Sequence, residues 1–290
     1  MLSFLRSCWH TSGKFKFGVI ILAIFVLMAV AAPLVYRPII GDLSPSRPGV
    51  FMRWLPMTAE HPLGTDGHGR DLLTDYLAGL RTTLYIGFLA GMIASSVGIL
   101  VGFLSAYKGG WVDAVLLTFT NMLIVIPQYP ILVAIAMVTP ELGVASMAVI
   151  LAFFSWAYSA RTIRAQVMTM KERPYVELAR VSGQNDWAII FTEILPNLTP
   201  YLLMGFAFSV VGAMVAEVGI EALGLGPSNI ITLGLMINFA NGWGVYSMKR
   251  LEILLIPVGA LVLIFMAITM INRGMEEYLN PRLQKVTTEK

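Results

Sequence analysis

Long apolar runs almost free of charge constrain this chain more than any other feature. A backbone inside hydrocarbon must satisfy its own hydrogen bonds, and a run of about 20 apolar residues does so as a helix crossing the bilayer. Six such runs can be drawn, at 17–36, 82–106, 112–138, 143–160, 199–220 and 252–272. They raise the apolar share of the 290 residues to 57% and leave 13% charged, where a soluble domain has about 45–50% and about 25%. The expected fold class is an all-α integral membrane protein with six transmembrane helices. Pro127 and Pro130 fall inside the third run and predict a kink there.

The flanks of the runs set an orientation. Arg6, Lys14, Lys16, Lys108, Arg161, Arg164, Lys171, Arg173, Arg180, Arg273, Arg282, Lys285 and Lys290 all fall on the N-terminal side of the membrane. The other side carries fewer, gathered mostly between the first and second runs. Lysine and arginine accumulate in cytoplasmic loops, so both termini are expected in the cytoplasm of a multi-pass protein of the cell's inner membrane. Ala29–Pro33 (AVAAP) has the small residues of a signal cleavage site, but the run before it is long for a signal, and a retained first span is expected.

Several function classes are excluded by what the runs lack. The single cysteine, Cys8, forms no disulfide framework, and no histidine lies in a run, so a membrane haem or di-metal centre has no ligands. The net charge of +3 needs no nucleic acid to explain it. No Gly-x-x-x-x-Gly-Lys-Ser/Thr loop occurs, so the chain does not hold a nucleotide in that way, and no resident cofactor is expected. In the segment HPLGTDGHGRDLL (61–73), Asp66 and His68 are too few to bind a metal. Thr65 or Asp66 is expected to cap a helix whose Leu72, Leu73, Tyr76, Leu77 and Leu80 form one apolar face at the membrane surface.

Inside the runs, Glu217, near the outer end of the fifth, is the carboxylate that stands out, with Glu221 a turn beyond it. Charges inside a span are costly and usually functional. Asn121, Gln128 and Glu217 are therefore the candidates to line a path, each equally able to make an interhelical hydrogen bond instead. Two stripes of small residues, Gly87/Gly91/Ser95/Gly98/Gly102 and Gly205/Ser209/Gly212/Ala216/Gly219, predict close helix packing.

Between the fourth and fifth runs the chain changes character. The fourth run continues as a helix through RTIRAQVMTMKERP to Pro174, and Tyr175–Val181 makes about two turns. Ser182-Gly183 breaks the helix, and Asn185 or Asp186 caps a second short one that Pro196 ends. The short first helix, with Tyr175, Val176 and Ala179 interleaved with Glu177, Leu178 and Arg180, is shaped as a knob for a groove on another protein.

The spacing Glu177-x-Ala179-x-x-x-Gly183, followed by Leu195-Pro196, resembles the EAA loop of permease subunits of ABC importers, with Leu178 where a second alanine is usual. HPLGTDGHGRDLL, the LGLG at Leu223–Gly226 and the tail Asn280-Pro281-Arg282-Leu283 are similar to the C-type member of the dipeptide, oligopeptide and nickel group. The resemblance implies the type I ABC importer permease fold. It divides the chain into an N-terminal tail, first span and outer segment (1–81), a permease core (82–272) with a cytoplasmic coupling loop (161–197), and a tail (273–290). It implies a transport subunit with no catalytic residues, forming half of a path for peptides, with oligosaccharides or nickel as alternatives. The implied partners are a second homologous permease, two P-loop ATPase subunits, an extracytoplasmic solute-binding protein and membrane lipid. Tyr175, Val176, Glu177, Leu178, Ala179, Arg180 and Gly183 would form the ATPase-docking coupling helix.

Overall fold

The computed structural model describes residues 2–139, 143–226 and 230–279. The tail motif Asn280-Pro281-Arg282-Leu283 lies outside the described residues. Among the described residues the regular structure is helical, apart from one isolated bridge between Thr65 and Asp71. Five helices are long and apolar enough to cross a membrane, and a bent pair makes a sixth span when counted together. The expected multi-span membrane fold is what the chain adopts.

A short helix α1 (Leu2–Thr11) leads into α2 (Gly13–Ile40), whose N-cap is the Ser12 side chain accepting from the Phe15 N–H. The second span is longer than its apolar run: α3 extends over Leu72–Lys108, about 55 Å at 1.5 Å per residue. It passes without a break through Arg81, so the apolar residues Leu72, Leu77 and Leu80 are its first turns and not a separate surface helix. Its N-cap is also not the expected one. Asp71 accepts from the Thr74 N–H, whereas Asp66 is turned inward to Arg70.

The third span breaks where the prolines stand. α4 (Gly110–Val125) and α5 (Gln128–Val138) meet at 73°, because Pro127 has no N–H to continue the ladder and Pro130 occupies the first turn of the new helix. α6 (Val144–Lys171) continues 11 residues beyond the apolar run that ends at 160, and α7 (Pro174–Val181) follows with Pro174 opening it. Asn185 caps α8 (Asp186–Ala188) as expected, its side chain accepting from the Ala188 N–H. That helix does not end at Pro196, however. It passes through a π-helical turn, Ile189–Ile194, straight into α9 (Leu195–Ala222), and Pro196, which has no N–H to give the preceding turn, stands where the π-helical turn ends. α10 (Leu233–Gly242) and α11 (Glu252–Leu279) are the last of the described helices.

The first small-residue stripe packs α3 against two neighbours at once. A methyl group on Gly91 would sit 2.6 Å from Val210 Cγ2 of α9, and one on Gly98 would sit 2.5 Å from Ser159 Cβ of α6. Gly91→Leu is expected to destabilise the fold by at least about 1–3 kcal/mol, the usual overpacking range, whereas Gly205→Ala, open on its side chain's face, is expected to be neutral. Melting temperatures in one detergent would distinguish them, and equal values would remove the packing role of the stripe.

Candidate functional site

Three surfaces carry the polar chemistry of the bundle: a groove along its flank, a cap at the α10 end and a ledge at the α7 end.

The groove, about 490 Å³, runs between α3, α5, α6 and α9. The second small-residue stripe makes it: Gly205 and Gly212 have no atom within 4 Å of where a side chain would begin. Polar side chains come from α6 at helical spacing, namely Ser155, Tyr158, Ser159, Thr162 and Gln166, and face Gln128, Tyr129, Tyr201 and Ser209. Ser159 and Ser209 bridge α6 to α9 at 3.1 Å. No charged side chain is among the lining residues.

The three path candidates separate in space. Gln128 lines the groove. Asn121 is exposed on another face of α4, beside Thr118, Met122 and Val125. Glu217 is 0% exposed, and its Oε1 accepts from Thr83 Oγ1 of α3 at 3.1 Å. Thr83 Oγ1 accepts in turn from the Leu233 N–H, while Glu221 takes the Thr232 hydroxyl and the Ala222 carbonyl takes the Asn238 amide. The two glutamates thus fasten α10 to α3 and α9. The α6 stripe is not among the path candidates of the sequence, although its period is legible there, a polar residue every third or fourth position in an otherwise apolar run.

Above α10, residues 49–71 fold down as a cap. Arg70 donates from Nε and Nη2 to Asp66 Oδ2 at 2.9 and 2.7 Å, lies 3.2 Å from Asp75 and stacks 4.6 Å over the Phe239 ring. Asp66 Oδ1 accepts from the His68 and Arg70 N–H groups. Gly67 lets the turn press onto Trp54 and Trp243, a methyl there falling 2.6 Å from the Trp54 ring. His68 stacks edge-on against Phe239 and Trp243, and burial, with Arg70 beside it, holds its imidazole below the usual range. The segment that could have suggested metal chemistry is a structural clasp. Among the described residues no three His, Cys, Asp or Glu side chains group to hold an ion.

At the opposite end α7 sits on a frame. Lys171 Nζ donates to the Ala106 and Tyr107 carbonyls at 3.3 and 2.9 Å, capping α3. Tyr107 donates to Asp186 at 2.6 Å, and Arg164 forks onto Asp113 with two bonds of 2.6 Å. Gly183, at φ +80°, takes the left-handed conformation that ends α7. The outward face of α7 differs from the expected knob. Val176 and Ala179 are buried among Phe103, Ile163, Val167, Ile189 and Leu198, because an eight-residue helix joined to two spans must cover their apolar ends. Tyr175 is half-buried against Met170. What faces solvent is Leu178, 67% exposed, and Val181, 81% exposed, flanked by Glu177, Arg180 and Gly183.

The chain matches the family described as "Binding-protein-dependent transport system inner membrane component" over residues 98–285. It is 34% identical over 275 residues to a putative peptide transport system permease protein of Brucella suis biovar 1, covering 93% of this chain and 88% of that one. It is 32% identical over 233 residues to the oligopeptide transport system permease protein OppC of Mycobacterium tuberculosis, 78% of this chain and 77% of that one. A further similarity is to OppC of Lactococcus lactis subsp. cremoris, 34% identical over 186 residues, where the match covers 64% of this chain and 63% of the relative.

Proposed function

The chain belongs to the binding-protein-dependent transport system inner membrane component family, and from that premise we propose that it forms half of the translocation path of a peptide importer driven by ATP. The observation that carries the cargo class is the uncharged groove. Hydroxyls and amides from α5, α6 and α9 can donate to and accept from a peptide main chain without selecting its side chains. A nickel path would call for imidazole, thiolate or carboxylate ligands, and the groove lining has none. An oligosaccharide cargo draws no support from the relatives, whose names specify peptides or oligopeptides.

In this reading a second, homologous permease closes the open side of the groove, a solute-binding protein delivers peptide to the capped end, and two ATPase subunits dock on α7. Both termini lie in the cytoplasm, consistent with the basic residues around α7. ATP-driven closure of the ATPase pair moves α7, and the frame of Lys171, Tyr107 and Asp186 passes that motion to α3, α6 and α9 as rigid levers. Gln128 belongs to the path. Glu217 serves it indirectly by fixing α10, and Asn121 would face lipid or the other permease.

Gly212→Trp tests the path. The open space at Gly212 accepts the ring without refolding the bundle, so the variant is expected to reach the membrane at normal level while uptake of a labelled tripeptide falls by roughly tenfold or more. Normal uptake would remove the groove from the path. Uptake of nickel or an oligosaccharide by the parent chain, with no peptide uptake, would overturn the cargo class and leave the groove in place.

A further inference from the structure

At the α7 end, α3 and the helix that begins at Asp186 diverge and leave a second groove, about 380 Å³, whose walls are almost wholly apolar. Leu100, Phe103 and Leu104 form one wall, and Ile190, Phe191 and Leu195 the other. The second wall is the π-helical turn, in which the Leu195 N–H reaches back five residues to the Ile190 carbonyl. Such turns are rare overall and are frequent at functional sites. The rim is chemically different from the walls. Lys108 is exposed there and has no ion-pair partner among the described residues. Asp186 stands at the same rim with one oxygen taken by Tyr107 and the other without a partner among the described residues. Trp187 and Phe191 stack 6.3 Å apart, both more than half exposed.

We propose that this groove is a binding site for a zwitterionic aminophospholipid of the surrounding bilayer. One acyl chain lies between the walls, the phosphate meets the Lys108 ammonium, and the headgroup amine donates to Asp186. Each part of the rim selects for that headgroup. A glycerol headgroup offers Asp186 only a neutral hydroxyl in place of a charged ammonium donor, and a choline headgroup has no N–H to give it. Stacked, exposed aromatic rings belong at headgroup level, where one edge is wet and the other is not. A protein helix is the poorer occupant, because covering the rim would strip water from Lys108 and Asp186 without supplying both with partners. A lipid held there spans α3 and the start of α8, the two elements that the Tyr107–Asp186 hydrogen bond also joins.

The test uses the full-length chain with whatever subunits co-purify, in nanodiscs of equal phosphatidylethanolamine, phosphatidylglycerol and phosphatidylcholine. Native mass spectrometry of the released complex is expected to find phosphatidylethanolamine retained over the other two. Lys108→Gln combined with Asp186→Asn, both at exposed positions, is expected to cut that retention about tenfold, the loss of two charge-assisted contacts, and to leave the other lipids unchanged. Equal retention of the three lipids, or retention unaffected by the double substitution, would overturn the proposal. A second measurement identifies the occupant directly. Leu104→Cys, labelled with a benzophenone maleimide, is expected to crosslink to lipid, with the parent chain and its buried Cys8 as background. Crosslinks to a protein chain would overturn the proposal and make this face a subunit interface.

Discussion

Arg70→Ala is expected to lower the stability of the chain by about 3–5 kcal/mol, the usual loss when one member of a buried ion cluster is removed. Arg70 is 5% exposed and stands between Asp66 and Asp75, each 1% exposed. Deleting the guanidinium leaves two carboxylates facing each other in a site closed by Phe239, Trp54 and Trp243. Arg70→Lys is expected to recover only part of the loss, since a lysine cannot reproduce the two-nitrogen contact with Asp66 or the flat stack on Phe239. Thermal unfolding in detergent measures both, and limited proteolysis of the 49–71 segment reports whether the cap has come loose. A melting curve unchanged by Arg70→Ala would mean that the cap contributes nothing to holding α10.

The second large effect concerns transmission and should leave stability untouched. Leu178→Asp is expected to abolish ATP-driven peptide uptake, while the chain still inserts and melts as the parent does. Leu178 is the largest apolar side chain on the outward face of α7, and a buried leucine contributes about 1.5–3 kcal/mol to a contact. Replacing it with a carboxylate adds a desolvation penalty and should weaken docking by roughly a hundredfold or more. Val176→Asp makes the opposite control. Val176 is fully buried in the cluster that α7 forms with α6 and the π-helical turn, so its replacement should unfold the α7 frame and reduce the amount of protein in the membrane. Normal uptake by the Leu178 variant would remove α7 as the point where an ATPase engages.

The contrast between Leu178 and Val176 also marks the limit of what sequence pattern can reveal. α7 itself was legible: Pro174 opens it, Gly183 closes it and Asn185 caps the next turn, and all three do so for local steric reasons. Which side faces inward was not legible. Val176 and Ala179 are three residues apart, as are Leu178 and Val181, so an eight-residue helix offers two apolar pairs on different sides and no period to choose between them. Only the apolar end of α6 and the π-helical turn that α7 packs against decide it.

The candidate path shows the same division. An amide or carboxylate in a hydrocarbon run announces that something must satisfy it, and Asn121, Gln128 and Glu217 announce that equally. Neighbours assign the role. Gln128 follows a proline break that turns it into the groove, Asn121 precedes that break and points away, and Glu217 meets Thr83 across a helix interface.

By itself the sequence determined that the chain crosses a membrane repeatedly, where its third span breaks and where the inter-span ledge begins and ends. Those properties follow from run length, missing N–H groups and backbone conformations, which act within one helical turn of the residues that cause them. Only the tertiary structure decided that α3 continues unbroken through Arg81, that the second glycine stripe opens onto a groove while the first is packed shut, and that Asp66 clasps Arg70 while Asp71 caps the helix. Each of these depends on residues far apart in the chain arriving at one place, and a local pattern carries no record of who that neighbour is.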